Sequence, residues 1–406
     1  MSNRIRHLVL SSVVLFPAIY ALTLMWWVPE GDKYVPGMVV LVLIVVVVRR
    51  FLFNESPSRL PEGRVRLLIP LWLFVTYCAM IYLWKGDSWT ELRAMLAMAI
   101  YFSIYREMEL SATFCKLAVA ISAFGFLFLT WALFMSGTNR VGGFINPIPY
   151  ATALGAVLLV VFSLALWGGR GKERLMFSIL GVGLLSALFM TQTRGVIVPA
   201  LFLCGGLLFI YSMQRLKAPA TLILFGMFVS LIAVLGSEIF RDRVNQTQVE
   251  LDAIAIGDKS GSIGLRIQMW DAALRIWKDS PIIGVGDGHK SILTELHSEG
   301  HVTDELLSFS PSHYHNQYLD FLVKKGVLGL ALFLTIMVLL LQLLLRSRIK
   351  FVGLGGGAAL LLYMLSGLSD VPFRHPASIY LFFSIVLVFT SISVKHHKNI
   401  RREEGL

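Results

Sequence analysis

Long apolar runs, separated by short charged clusters, dominate this chain. They fall near 8–27, 36–53, 66–84, 92–107, 113–136, 147–167, 175–191, 195–213, 218–236, 326–345, 352–369 and 376–394. Most reach the roughly 17–25 residues that an α-helix needs to cross a bilayer, and two are short. The pattern predicts an all-α polytopic membrane protein with about twelve transmembrane helices.

The basic residues between the runs sort onto alternate connections. One set holds Arg49, Arg50, Arg59, Arg64 and Arg66, then Arg106, then Arg170, Lys172 and Arg174. It continues with Arg215 and Lys217, then Arg346, Arg348 and Lys350, and ends in the tail KHHKNIRREE. The other set holds little more than Lys33, Lys85, Arg140, Arg194 and Arg374. Cytoplasmic connections are enriched in Lys and Arg, so both termini are expected in the cytoplasm. The first run follows Arg4 and Arg6 and shows no small-residue cleavage site before WWVPEGDKY. It therefore reads as a retained helix rather than a signal peptide.

One connection is long, from 237 to about 316, and it falls on the outer side. Loops of that length are usually functional or partly folded. Within it SIGLRIQMWDAALRIWKDSP has helical spacing: Ile263, Ile267, Trp270, Leu274 and Trp277 share a face, and Pro281 ends the run. GVGDG follows as a tight turn. The predicted organisation is helices one to nine over 1–236, the large loop over 237–316, helices ten to twelve over 317–394, and a cytoplasmic tail over 395–406.

Composition supports the membrane reading. The 406 residues are 56% hydrophobic and 15% charged, with a mean hydropathy of +0.72. The net charge of +11 is spent on topology, so membrane lipids are expected partners and nucleic acid is not. Cys78, Cys115 and Cys204 all lie inside apolar runs and read as small core side chains.

Candidate chemistry gathers in the outer connections. In SPSHYHNQYLDFLVKKGVLGL, residues 310–330, two histidines and Asn316 stand before an apolar run. A helix beginning near Ser312 would place His315 and Gly326, eleven residues apart, on one face about 16 Å from each other. Leu319, Leu322 and Gly329 lie near the same line, and Lys324 and Lys325 would mark the outer interface. His315 and Asn316 then read either as a general base with a hydrogen-bonding neighbour or as caps of a helix end. His289, His297, His301, His313, His315 and Asp287 raise the question of zinc. No HxxxH pair occurs, and His313 and His315 would project on different helical faces, so no metal is expected.

Arg194 (in MTQTRGVIVPA), Arg266, Arg140 and Arg374 stand on the side where basic residues are scarce. They either snorkel and pair with Asp271, Asp287 or Glu295, or hold a lipid-linked phosphate in their planar forks. The phosphate reading is favoured for Arg194 and Arg266, the pairing reading for Arg140 and Arg374. GGFINPIPYA, which includes Asn146, reads equally as a break in a helix lining a cavity or as an ordinary proline-containing loop.

Four of these segments resemble the O-antigen ligase family and its superfamily. HNQYLDFLVKKGVLGL is similar to a signature of His-Asn, nine residues, then Gly-x-x-Gly. TQTRG, GLRIQMWDAALRIWKDSPIIGVGDG and GGFINPIPYA resemble three further segments of that superfamily. The resemblance implies a GT-C-like, metal-independent and cofactor-free glycosyltransferase of the Gram-negative inner membrane, with its active site facing the periplasm. It implies undecaprenyl-pyrophosphate-linked glycan as donor and a sugar of the lipid A–core as acceptor. On the matching positions, His315 would activate the acceptor and Arg194 and Arg266 would bind the donor pyrophosphate. Arg140, Asn146, Asn316, Arg374, Gly326 and Gly329 would play supporting roles. The Lys324-Lys325 pair departs from the usual pattern. O-antigen polymerases and protein O-oligosaccharyltransferases share the motifs; the single large loop and the lack of a longer C-terminal soluble region favour a ligase.

A lipid or solute transporter is the rival from another class. It would need ionisable groups near the membrane midplane and, often, repeated halves. The runs 195–213 and 326–345 contain no charged residue, and no internal repeat is evident.

Overall fold

The computed structural model describes residues 3–53, 62–105, 110–138, 140–214 and 238–403. The long helices, in chain order, are α1 Asn3–Leu22, α2 Val35–Phe53, α3 Glu62–Lys85, α4 Trp89–Ile104, α5 Ala112–Met135, α6 Pro147–Ser163, α7 Lys172–Met190 and α8 Arg194–Gln214. There follow α9 Glu238–Ala255, α10 Ser262–Asp279, α11 His289–Ser298, α12 Asp304–Phe309, α13 Gln317–Leu345, α14 Lys350–Ser366 and α15 Pro376–Glu403. No strand occurs among the described residues. The run 218–236 lies outside them; the other eleven predicted runs are helical.

Seven of the described helices are long and apolar enough to cross a membrane, and three shorter apolar helices accompany them. By that measure the described residues account for seven of the roughly twelve spans expected. The chain is a multi-pass membrane protein.

α6 and α15 form the centre of the bundle. Every residue of α6 from Pro149 to Ser163 is buried, as is every residue of α15 from Ala377 to Ile392. α14 lies against α6 at a separation that only small residues permit. A side chain at Gly355 would collide with Ser163, and one at Gly155 would strike Leu362. The Ser163 hydroxyl donates across this contact to the Phe351 carbonyl at 3.1 Å.

A second, smaller core sits at the α13 head. Met269, Ala272, Ala273 and Ile276 of α10 pack with Leu293 and Leu296 of α11, Val302, Leu306 of α12, Tyr314 and Val323. α10 forms where the spacing predicts, but it buries a different face. Its buried stripe is Gly264, Gln268, Met269, Ala272, Ala273 and Ile276. Ile267 and Leu274, on the apolar face the spacing marks, are 40% and 43% exposed. Periodicity alone does not say which of two apolar stripes meets the protein; the smaller one fits here because α10 approaches its neighbours closely.

α13 corrects the sequence reading most. It begins at Gln317, not near Ser312, with Asn316 as N-cap accepting from the Tyr318 and Leu319 amides at 3.0 and 3.1 Å. It is then interrupted at Gly326, whose φ of 62° and ψ of −171° are not helical. His315 and Gly326 therefore share no helical face. The segment after Pro281 fills the interruption. The Val327 and Leu328 amides donate to the Pro281 and Ile282 carbonyls, and the Val285 amide donates to the Val323 carbonyl at 2.7 Å. Any side chain at Gly326 would strike the Ile282 backbone, and one at Gly284 would strike the backbone of residues 324–326. This close approach explains both glycines. Gly329 behaves as expected of a close-packing position, facing Tyr77 of α3.

Lys324 and Lys325 do not snorkel at an interface. They are 0% and 1% exposed. Lys324 pairs with Asp320 at 2.9 Å, and Lys325 with Asp87 at 2.6 Å and Glu91 at 3.1 Å. Arg374 completes the cluster, 3.5 Å from Asp320 and 3.9 Å from Asp87. Three carboxylates thus face three cations, a balance that lets charges stay buried.

Candidate functional site

Residues 310–316 form an irregular bridge between α12 and α13, and the fold holds that bridge from several sides. Tyr314 is buried in the smaller core, its hydroxyl 3.1 Å from His289 Nδ1. Trp270 Nε1 of α10 donates to the Tyr314 carbonyl at 3.0 Å, and Lys324 Nζ donates to the Ser312 carbonyl at 2.6 Å. His315 follows with a φ of 47°, a left-handed conformation that non-glycine residues seldom adopt. Such strain persists where surrounding structure over-determines it, and it concentrates at functional sites.

The head of α13 is stapled to the connection between α14 and α15. The Gln317 amide donates to the Gly367 carbonyl at 2.7 Å. Gln317 Oε1 accepts from the Phe373 amide at 2.8 Å, and Asn316 Nδ2 donates to the Leu368 carbonyl at 3.1 Å. This register brings Asp370 to His315. Nδ1 of the imidazole lies 3.1 Å from Asp370 Oδ1, with side chains 18% and 5% exposed. Burial alone would raise the Asp370 carboxyl, but the hydrogen bond with His315 and the nearby imidazoles hold it below the usual carboxylate range. An ionised carboxylate only accepts, so Nδ1 carries the proton, and in the neutral imidazole Nε2 presents its lone pair. Nε2 has no hydrogen-bond partner among the described residues.

His313, expected to diverge from His315, belongs to this cluster. Its ring centroid is 4.4 Å from that of His315 and 6.4 Å from that of His375. Burial, then the neighbouring His315 imidazole, pushes it down to about 4. Ligand atoms of His313, His315 and Asp370 lie within 4.8 Å of one another, close enough to converge on one metal ion. The expectation that these histidines diverge assumed a helix that does not form there. Asp370 was missed altogether. Its only sequence signal is its place in SDVPFRHP, where an acid precedes Arg374 and His375.

The TQTRG turn lies against the same connection. A side chain at Gly195 would collide with Ser369, the neighbour of Asp370. Gln192 takes a left-handed φ of 52° to close the turn. Arg140 Nε donates to the Thr191 carbonyl at 3.4 Å, so Arg140 and Arg194 flank one turn. Arg194 opens α8 exposed and donates from Nη1 to Thr247 of α9. Arg266 is half-buried on α10, one turn before Trp270 and on its face. Two of the three acids proposed to neutralise these arginines are engaged elsewhere: Asp271 with Arg275 at 2.8 Å and Asp287 with Lys290 at 3.6 Å.

The remaining candidates take structural places. Asn146 caps α6, its Oδ1 accepting from the Ile148 amide at 2.9 Å. GGFINPIPYA is thus the loop and first turn of α6, not a break within a helix. Arg374 is held in the buried ion cluster. His297 pairs with Asp304 at 2.7 Å, apart from the cluster.

A family model described as O-antigen ligase matches residues 179–334. Over this stretch the chain is similar to the O-antigen ligase family. This stretch runs from α7 through the smaller core to the middle of α13, and includes Arg194, Arg266, His313 and His315. An O-antigen ligase of Escherichia coli (strain K12) is 21% identical over 173 residues, 42% of this chain and 41% of that protein. An uncharacterized protein of Haemophilus influenzae is 29% identical over 138 residues, 33% of this chain and 34% of its own length. Less than half of either relative is matched.

Proposed function

We propose that the protein is an O-antigen ligase, moving a glycan from undecaprenyl pyrophosphate to a sugar of the lipid A–core. One observation carries this reading: the His315–Asp370 pair, 3.1 Å apart, beside a turn that presents Arg194. Asp370 fixes the His315 tautomer and stabilises the imidazolium that forms. Nε2 takes the proton of the acceptor hydroxyl as its oxygen attacks the anomeric carbon. The bond from that carbon to the pyrophosphate oxygen breaks as the new glycosidic bond forms, so the configuration inverts. Arg194 and Arg266 neutralise the charge developing on the departing undecaprenyl pyrophosphate. Exposed Ile267 and Leu274 of α10 offer apolar surface next to Arg266, which suits a lipid-linked donor.

In this proposal the chemistry is metal-independent and uses no cofactor. The site faces the periplasm from the bacterial inner membrane, and both termini are cytoplasmic. The alternation of basic connections supports that orientation. The alternatives within the superfamily are O-antigen polymerase and protein O-oligosaccharyltransferase. A lipopolysaccharide gel of a deletion strain separates them. Uncapped core with accumulated lipid-linked polymer supports the ligase, and core bearing a single repeat unit would assign a polymerase. Transfer that survives excess EDTA supports the acid–base role of His315; loss of transfer restored by zinc would turn the His313–His315–Asp370 cluster into a metal centre.

A further inference from the structure

At the end of the bundle opposite His315, α5, α7, α8, α14 and the π-helical turn Leu164–Gly168 after α6 line an open cavity of about 560 Å³. Four cations, Lys116, Arg170, Arg174 and Lys350, line it with one carboxylate, Glu173. Lys116 and Glu173 neutralise each other at 2.7 Å. Among the described residues Lys350 donates to a neutral group, Gln214 Oε1, at 2.7 Å, and the same oxygen accepts from Trp167 Nε1 at 3.3 Å. Arg170 and Arg174 make no ion pair with a described residue. Arg174 Nε is shielded from solvent and has no hydrogen-bond partner among the described residues.

Basic residues at helix ends orient a membrane protein, and that role needs only their presence in the connection. It does not need a concave site, nor a guanidinium nitrogen held away from water without an acceptor. Leaving such a group unpaired is costly, and the cost falls when an anion occupies the void. Much of the uncharged wall is apolar, with Leu166, Trp167 and Phe351 in it. A π-helical turn placed at a cavity is a feature often found at binding sites.

We propose that this cavity binds a phosphate-bearing anion, and that the occupant is the headgroup phosphodiester of an anionic glycerophospholipid from the adjoining leaflet. Basic pockets between transmembrane helices suit such headgroups, and the arginine forks suit phosphate oxygens. The apolar walls would take the glycerol and the first acyl carbons, which a free phosphate lacks.

The test uses the purified full chain in detergent micelles, with adducts counted by native mass spectrometry. Phosphatidylglycerol, phosphatidylcholine and inorganic phosphate are titrated separately, and phosphate is also added to the phosphatidylglycerol complex. A retained phosphatidylglycerol adduct, without a matching phosphatidylcholine adduct, is expected. Arg170→Gln and Arg174→Gln should each weaken it by about fivefold, and together by on the order of thirtyfold. Lys350→Gln offers the same readout without touching either arginine, should the double variant fail to fold. Phosphate binding as tightly as the lipid and displacing it would keep the phosphate site but overturn the lipid source. Equal adducts in wild type and in folded charge-removed variants would overturn the site itself.

Discussion

Asp370 and His315 meet across 55 positions of sequence because three hydrogen bonds, two donated by Asn316 and Gln317 and one accepted by Gln317, staple the head of α13 to the connection after α14. The pair is thus set by backbone register, and substitutions in it should alter chemistry more than folding. Asp370→Asn keeps an oxygen for the Nδ1 proton but removes the charge that stabilises imidazolium. The turnover rate should fall on the order of a hundredfold or more, with the acceptor KM little changed. His315→Ala should abolish transfer in a protein that still inserts. Normal capping of lipopolysaccharide in either variant would remove the dyad from the mechanism.

Arg194 and Arg374 should respond differently to the same change. Arg194 is exposed and touches the chain through Thr247. Arg194→Lys should therefore leave the melting temperature in place while reducing transfer, because an ammonium lacks the bidentate fork. Arg374 sits among Asp87 and Asp320, so Arg374→Ala should lower stability first. Thermal unfolding and transfer measured on the same samples separate the two effects, and full activity in Arg194→Lys would reduce that residue to an anchor.

Lys325→Met leaves Asp87 and Glu91 facing each other without their shared cation. Removing one partner of a buried ion pair costs roughly 3–5 kcal/mol. Adding Glu91→Gln should restore part of that loss by removing one of the stranded charges. A double variant no more stable than Lys325→Met alone would show that the cluster is not coupled in this way.

The smaller core should weaken in mild acid. Burial pushes both His289 and His313 from 6.5 down to about 4. Between those values the unfolded chain takes up protons that the folded chain refuses, so stability falls as pH drops from 6.5 towards 4. At full extent each histidine contributes on the order of 3 kcal/mol. Hydrogen exchange across residues 310–316 should accelerate over this window, and His289→Gln should flatten the response. Exchange that does not change with pH, after correction for its intrinsic rate, would contradict the buried neutral imidazoles.

Much of this architecture is legible in one dimension. Runs of apolar residues report helices, since a bilayer leaves the backbone no partner but itself, and the described helices match the predicted runs closely. The α10 pattern likewise marks a helix, and TQTRG marks a turn. These are properties of near neighbours in sequence, so local spacing carries them.

What spacing could not carry was every contact made between distant segments. Lys325 reads as an interface residue because its acids, Asp87 and Glu91, come from the start of α4 and the connection before it. His313 was discarded on a helical face that Tyr314 prevents from forming, because its side chain is drawn into the smaller core. Asp370 carried no signal beyond its own letter. The sequence by itself determined which segments are helical, which are apolar and which motifs are present. The tertiary structure decided which charges are buried, where α13 breaks, and which acid orients His315. Those outcomes depend on packing and hydrogen-bond satisfaction across the whole chain.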